Sequence, residues 1–183
     1  SSAATRERDK YHILKYLSND VEFTDVTESI CCLGLFGPKS REMLKKISKD
    51  DFSSKNFKFG SGKNVFIKEI RVWSQRISYV GELGFELYVD KDKALNLYNI
   101  LVDEGKNFEL SHCGMHAMDI MRMESGFVHW GHDISPEENQ YEAGLKFAIS
   151  YKKNINFIGK DSLLKIKEKK LKKKLMMFVL KES

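Results

Sequence analysis

The chain has 183 residues, 42% of them hydrophobic, only 2 prolines and a formal net charge of +5; that is long enough for one well-buried domain or one and a half small ones, and too apolar for a disordered segment. No apolar run approaches the roughly 18 residues a membrane helix needs, so no membrane partner is expected. The opening Ser-Ser-Ala-Ala-Thr-Arg-Glu-Arg-Asp-Lys carries alternating charge and no apolar centre, which argues against a secretory signal and for a cytoplasmic location. Cys31, Cys32 and Cys113 form no even framework and the adjacent pair is too constrained to close on itself, so reduced thiols are expected.

In chain order, residues 6 to 17 suit a helix with Ile13, Leu14 and Leu17 on one face, stopped by Ser18-Asn-Asp20. Ile30-Cys-Cys-Leu-Gly-Leu-Phe36 reads as a buried strand. Gly37-Pro38 opens a helix whose Met43, Leu44 and Ile47 face inward, with the proline in the first turn where its missing N–H costs nothing. Residues 51 to 63 read as a loop and a short strand, and Val65 to Ile70 and Arg71 to Tyr79 as further strands. A helix is expected over Asp92 to Glu104, with Leu95, Tyr98, Leu101 and Val102 at helical spacing and Gly105 as its stop. Hairpins dominate the connections, so the fold class expected is α+β with a mainly antiparallel sheet.

The stretch Arg76-Ile-Ser-Tyr-Val-Gly-Glu-Leu-Gly-Phe-Glu-Leu-Tyr-Val-Asp90 is the most informative one. Gly81 and Gly84 bracket a turn, and in the second arm Phe85, Leu87 and Val89 share one face by period-2 alternation while Glu86 lies with Tyr88 on the other. A hairpin centred between Glu82 and Leu83 places Tyr79 directly opposite Glu86, with about 5 Å between the Cβ atoms. A phenol and a carboxylate beside a glycine-lined turn could take a flat, amide-rich ligand, the ring packing on its face and the carboxylate accepting two parallel N–H bonds. An exposed glutamate beside a surface tyrosine is the plainer alternative.

A methionine-rich helix is expected from His112 to Glu124, with Met115, Met118, Met121 and Met123 in a core and Asp119 paired with Arg122 three residues on. Arg122 either reaches to water or sits near a buried acceptor. His112, His116, His129 and His132 fall close together, but their spacings match no standard zinc set, and no metal is expected. Phe157 to Leu164 starts a final helix. The lysine run from Lys165 to Lys174 lacks interleaved arginine and aromatic residues, so it reads as a solvated connector and not as a nucleic-acid site. Leu175-Met-Met-Phe-Val-Leu180 reads as a strand.

Five segments in order, Tyr79-Val-Gly-Glu-Leu-Gly-Phe-Glu-Leu-Tyr, Met121-Arg-Met-Glu-Ser-Gly, Trp130-Gly-His-Asp-Ile, Tyr141-Glu-Ala-Gly-Leu and Phe157-Ile-Gly-Lys, resemble the successive signatures of the glycine-cleavage T-protein (aminomethyltransferase) superfamily. Gly34-Leu-Phe-Gly-Pro-Lys-Ser-Arg and the N-terminal stretch are most similar to the folate region of dimethylglycine and sarcosine dehydrogenases. The resemblance implies a partial T-protein-like α+β fold around a tetrahydrofolate site. It also implies capture of a one-carbon unit, released as an iminium by amine oxidation, to give 5,10-methylenetetrahydrofolate. It assigns Glu86 to the pterin edge, Tyr79 beside the folate, Arg122 to the folate's carboxylate-bearing side or a nearby acid, and Trp130 and Glu142 to lining and support.

The resemblance further implies FAD only on a flavin domain or flavoprotein partner outside these residues. The family's proton-transferring aspartate lies in a segment before Thr5, so no catalytic residue is assigned, and the chain reads as a middle-to-late fragment of a longer protein or a degenerate relative, inactive alone and prone to self-association. The expected organisation is a helix and connecting strand over 1–27, an α+β subdomain with the hairpin over 28–111, a return segment over 112–164, and a basic connector and first strand of a barrel over 165–183. A non-catalytic folate-binding or regulatory relative and a free aminomethyltransferase fragment remain as alternatives.

Overall fold

The structure is a computed structural model that describes residues 3–153 and 155–181. The chain divides into two compact units, one of Ser1–Ser78 with Glu82–Ser111, the other of Tyr79–Gly81 with His112–Ser183.

The first unit holds helix α1 (Arg6–Tyr16), strand β1 (Ile30–Phe36), helix α2 (Ser40–Ile47), strands β2 (Gly62–Ile67), β3 (Ile70–Gln75) and β4 (Gly84–Asp90), and helix α3 (Lys91–Gly105). The four strands form one antiparallel sheet in the order β1-β4-β3-β2. Period-2 alternation decides its two faces. Leu35, Phe85, Leu87, Val89, Val72, Val65 and Ile67 point to one side and are buried, and Met43, Leu44 and Ile47 of α2 with Leu97 and Leu101 of α3 close over them. Phe52, Phe57 and Phe85 interlock at the centre with ring centroids 5.5 to 5.8 Å apart. Burying a side chain such as Leu87 contributes about 1.5–3 kcal/mol, so this cluster sets the register that fixes the opposite face.

Three expectations change here. α1 forms where expected but buries none of its residues; it is tied down by charge instead, Arg6 pairing with Asp25 at 3.0 Å and with Glu28 at 3.1 Å. β1 is an edge strand with Leu35 as its one buried residue, not a strand buried throughout. α3 turns Leu97 and Leu101 inward and leaves Leu95 and Tyr98 exposed, because its apolar residues nearly encircle it and the sheet selects the stripe. α3 ends at Gly105 as expected, with a helix-like backbone there that runs into a 3-10 turn. Gly105 is small because Leu110 folds onto it, the Leu110 Cβ lying 2.6 Å from where a Gly105 Cβ would stand.

The second unit is built on helix α4 (Met115–Glu124), a loop from 125 to 134, a run of turns with a 3-10 segment at Lys146–Ala148, and helix α5 (Lys160–Lys167). Its interior is small: Ile134, Tyr141, Ala143, Val80 and Arg122 are buried. The methionines do not fill a core, for Met115 and Met123 are exposed and Met118 and Met121 half-buried. Residues 168 to 181 carry no strand pairing, and Phe178, Val179 and Leu180 stand exposed. The strand expected there is absent among the described residues. That segment is held by the Leu175 amide donating to the Glu142 carbonyl at 2.8 Å and by Lys173 on Glu138 at 2.6 Å.

Candidate functional site

Glu86 stands in the middle of β4 on the face turned away from the core. Its Cα partners are Gly34 in β1 and Gln75 in β3, and Gln75 pairs in turn with Gly62 of β2. The expected partnership with Tyr79 is therefore wrong. β3 ends at Gln75, and residues 76 to 83 form an eight-residue excursion, not the arm of a tight hairpin. The excursion starts because Arg76 turns inward, its guanidinium donating to the Phe57 carbonyl at 2.7 Å, while its backbone exchanges bonds with Gly60 and Ser61 at 2.9 Å.

The row through Glu86 ends in two glycines, and on each an aromatic ring lies down. A Cβ on Gly34 would stand 2.7 Å from the Phe36 ring, and one on Gly62 would stand 2.7 Å from the Trp73 ring. Neither ring could occupy its place over a residue with a side chain. The next row brings Cys32, Tyr88 and Trp73 together on the same face. The Tyr88 hydroxyl donates to Glu86 Oε2 at 2.5 Å. That bond, then burial, pushes the Tyr88 phenol well above its ordinary value. Desolvation of the sulfur raises the Cys32 thiol and the Glu86 charge adds to it, which keeps it a weak nucleophile. The result is a carboxylate held by the Tyr88 hydroxyl on the sheet face away from the core, in a row whose end glycines carry the Phe36 and Trp73 rings. The signal for Tyr88 was available in the alternation that places it two residues from Glu86; Gln75 was missed because the register was misplaced.

Arg122 is the hub of the second unit, 2% exposed. Its Nε donates to Asp119 Oδ1 at 2.7 Å, its Nη2 lies 2.6 Å from the same oxygen, and its Nη1 donates to the Phe127 carbonyl at 3.0 Å and to Asp133 Oδ2. The expected Asp119 pair is present, and of the two environments open to Arg122 the structure has the buried acceptor. Burial alone would raise the Asp133 carboxyl, but the His129 amide at 2.8 Å, the Arg122 guanidinium and His132 outweigh it and hold it down at about 2. The Asp119 carboxyl is likewise lowered, chiefly by Arg122. Arg122 thus closes the loop from 127 to 133 onto the end of α4.

Tyr79 sits half-buried in this same unit. Its hydroxyl donates to the Val128 carbonyl at 3.3 Å, its ring stacks on Phe127 at 6.3 Å between centroids and 17° between planes, and burial raises its phenol. Beside it Gly81 has φ +78°, and a Cβ there would stand 1.9 Å from Ser125 Oγ. Only glycine allows Ser125 to reach the Val80 carbonyl, at 3.2 Å. Trp130 is 48% exposed, and the chain around it is closed by the Gly131 amide on the Ile134 carbonyl at 2.7 Å. Glu142 accepts from the Asn139 amide at 3.2 Å. The His129 and His132 rings stack on each other 5.8 Å apart, and among the described residues no group of three or more His, Cys, Asp or Glu side chains could hold a metal ion.

The sequence matches the GCVT N-terminal domain over residues 1–153. It is 44% identical over 142 residues to a 4-methylaminobutanoate oxidase (formaldehyde-forming) of Paenarthrobacter nicotinovorans, covering 78% of this chain and 17% of that protein. To the mitochondrial dimethylglycine dehydrogenase of Homo sapiens it is 37% identical over 161 residues, 88% of this chain and 19% of that one. An aminomethyltransferase of Thermoanaerobacter sp. (strain X514) is 38% identical over 159 residues, 87% and 43% of the two chains. The chain spans less than half the length of each of these relatives. A match that runs through the sheet, the Glu86 row and the Arg122 loop places this chain in the GCVT N-terminal domain family.

Proposed function

We propose that the chain is the tetrahydrofolate-binding, one-carbon transfer region of a dimethylglycine or sarcosine dehydrogenase-like protein, working toward 5,10-methylenetetrahydrofolate. The observation that carries this reading is the Glu86 carboxylate, outward-facing and oriented by Tyr88, in a row whose two end glycines, Gly34 and Gly62, are covered by the rings of Phe36 and Trp73. A pterin presents an amino group and a ring N–H side by side, and a carboxylate accepts both while aromatic rings cover the flat faces. The residues present fit that edge. Tetrahydrofolate, when bound, supplies the nitrogens that take up the one-carbon unit; the chain's own part is to hold the pterin and fix its orientation. Membership of the family and similarity to proteins named for amine oxidation and aminomethyl transfer support the reading.

The resemblance also gave roles at the folate to Tyr79, Arg122 and Trp130. For Arg122 the geometry favours the nearby-acid role, because its guanidinium is engaged by Asp119, Asp133 and the Phe127 carbonyl.

Titration of the purified chain with 5-formyltetrahydrofolate, followed by tryptophan fluorescence, tests the reading, with Trp73 beside the site as reporter. Saturable binding that Glu86→Ala weakens by about 1–3 kcal/mol, the cost of leaving polar ligand groups without a partner, is expected. Binding that Glu86→Ala leaves unchanged overturns it.

A further inference from the structure

The geometry points to Tyr88 as a positioning residue for the pterin edge, holding the Glu86 carboxylate in the one orientation that accepts two parallel N–H bonds. This inference rests on the folate reading above and names the residue that makes Glu86 selective.

A glutamate side chain on an open strand face has three rotatable bonds, and its terminal torsion is broad and roughly two-fold. Left to itself the carboxylate samples many planes, and ordering it on binding costs side-chain entropy. In this chain that freedom is removed beforehand. Tyr88 lies two residues along β4 on the same face, and its hydroxyl donates to Oε2 at 2.5 Å, the length of a charge-assisted O–H···O bond. Tyr88 is itself set in the sheet by its cross-strand partners, Cys32 of β1 on one side and Trp73 of β3 on the other. Trp73 in turn lies flat on Gly62. The sheet thus orients the tyrosine, and the tyrosine orients the carboxylate.

A carboxylate oxygen has two lone pairs, so Oε2 can take the tyrosine proton on one and a ligand N–H on the other, with Oε1 taking the second ligand N–H. Tyr88 makes no contact with ligand in this arrangement and acts through Glu86. The Glu86 bond, then burial, raise the Tyr88 phenol, which keeps the proton on the tyrosine as donor.

The test is a double-mutant cycle in the full chain. Dissociation constants for 5-formyltetrahydrofolate are measured by fluorescence for the wild type, Tyr88→Phe, Glu86→Gln and the pair. Tyr88→Phe keeps the ring and removes only the hydroxyl, so the sheet is expected to stay intact, which near-ultraviolet circular dichroism checks. The expected result is a loss of about threefold to tenfold for Tyr88→Phe, the net worth of one hydrogen bond, that disappears in the Glu86→Gln background. A merely structural tyrosine would weaken binding equally in the two backgrounds. An equal loss in both backgrounds, or no loss at all, with Glu86→Gln still weakening binding, overturns this inference alone. Binding indifferent to Glu86→Gln overturns the folate reading and this inference with it.

Discussion

Replacing Gly81 by alanine should destabilise the second unit, and the structure separates the cost into two parts. At φ +78° an L-residue meets its own carbonyl, a penalty of roughly 1–2 kcal/mol. The new Cβ also lands 1.9 Å from Ser125 Oγ and 2.6 Å from Ser125 Cβ. Rotating the hydroxyl relieves the first contact but not the second, so an overpacking cost of roughly 1–3 kcal/mol is added. Gly81→Ala should therefore cost about 2–5 kcal/mol in all, the sum of these two ranges. In a Ser125→Gly background both contacts vanish and only the backbone part, about 1–2 kcal/mol, should remain. Urea unfolding of the four proteins, followed by fluorescence in a Trp73→Phe background so that Trp130 reports the second unit, measures the cycle. A Gly81→Ala loss of the same size with and without Ser125 would refute the steric argument and leave the backbone conformation as the sole cause.

Gly105→Ala sets two effects against each other: alanine gains about 1 kcal/mol of helix propensity over glycine, but the Leu110 Cβ is 2.6 Å from the new methyl and cannot yield, so thermal denaturation should show a net loss. Leu87→Ala, at a fully buried position in the sheet's core, should cost about 2–5 kcal/mol in chemical denaturation. Asp133, held at about 2, has a folded-state pKa below its unfolded value near 4, so its contribution to stability is complete above about pH 4 and is lost as the pH falls toward 2. Asp133→Asn should accordingly flatten the acid side of a stability-versus-pH curve over that window, and an unchanged slope would show that the Asp133 carboxylate does not set it.

The chain order of helices and strands was legible because each buried element has a clean period: Met43, Leu44 and Ile47 on α2, and Phe85, Leu87 and Val89 on β4. What failed was register. Symmetry about Glu82 and Leu83 suggested a short turn, but the true partner of Glu86 is decided by where β3 stops, and β3 stops because Arg76 turns in to the Phe57 carbonyl, nineteen residues away in sequence. Non-local bonds of this kind leave no periodic trace. The same holds for Arg122. Its Asp119 partner follows from helical spacing, whereas Asp133, eleven residues on across an irregular loop, could not be read from any period. The α3 stripe was misjudged for the opposite reason: apolar residues on nearly every side of the helix make several faces equally plausible until the sheet chooses one.

The three residues Tyr79–Gly81, lent by the sheet-bearing unit to the other one, bear on how the chain is made. Ser125 reaches back 45 residues to the Val80 carbonyl, and Val128 is met by Tyr79 across 49. A ribosome finishing the sheet has therefore already released a piece of the second unit, which must wait for α4 and its loop before it has anything to bind. The closure of that long loop should come late, after the sheet and its helices are in place. It also follows that a protein beginning at His112 would lack the acceptor for Ser125 and the ring beneath Phe127, so the second unit cannot be obtained intact by cutting the chain once.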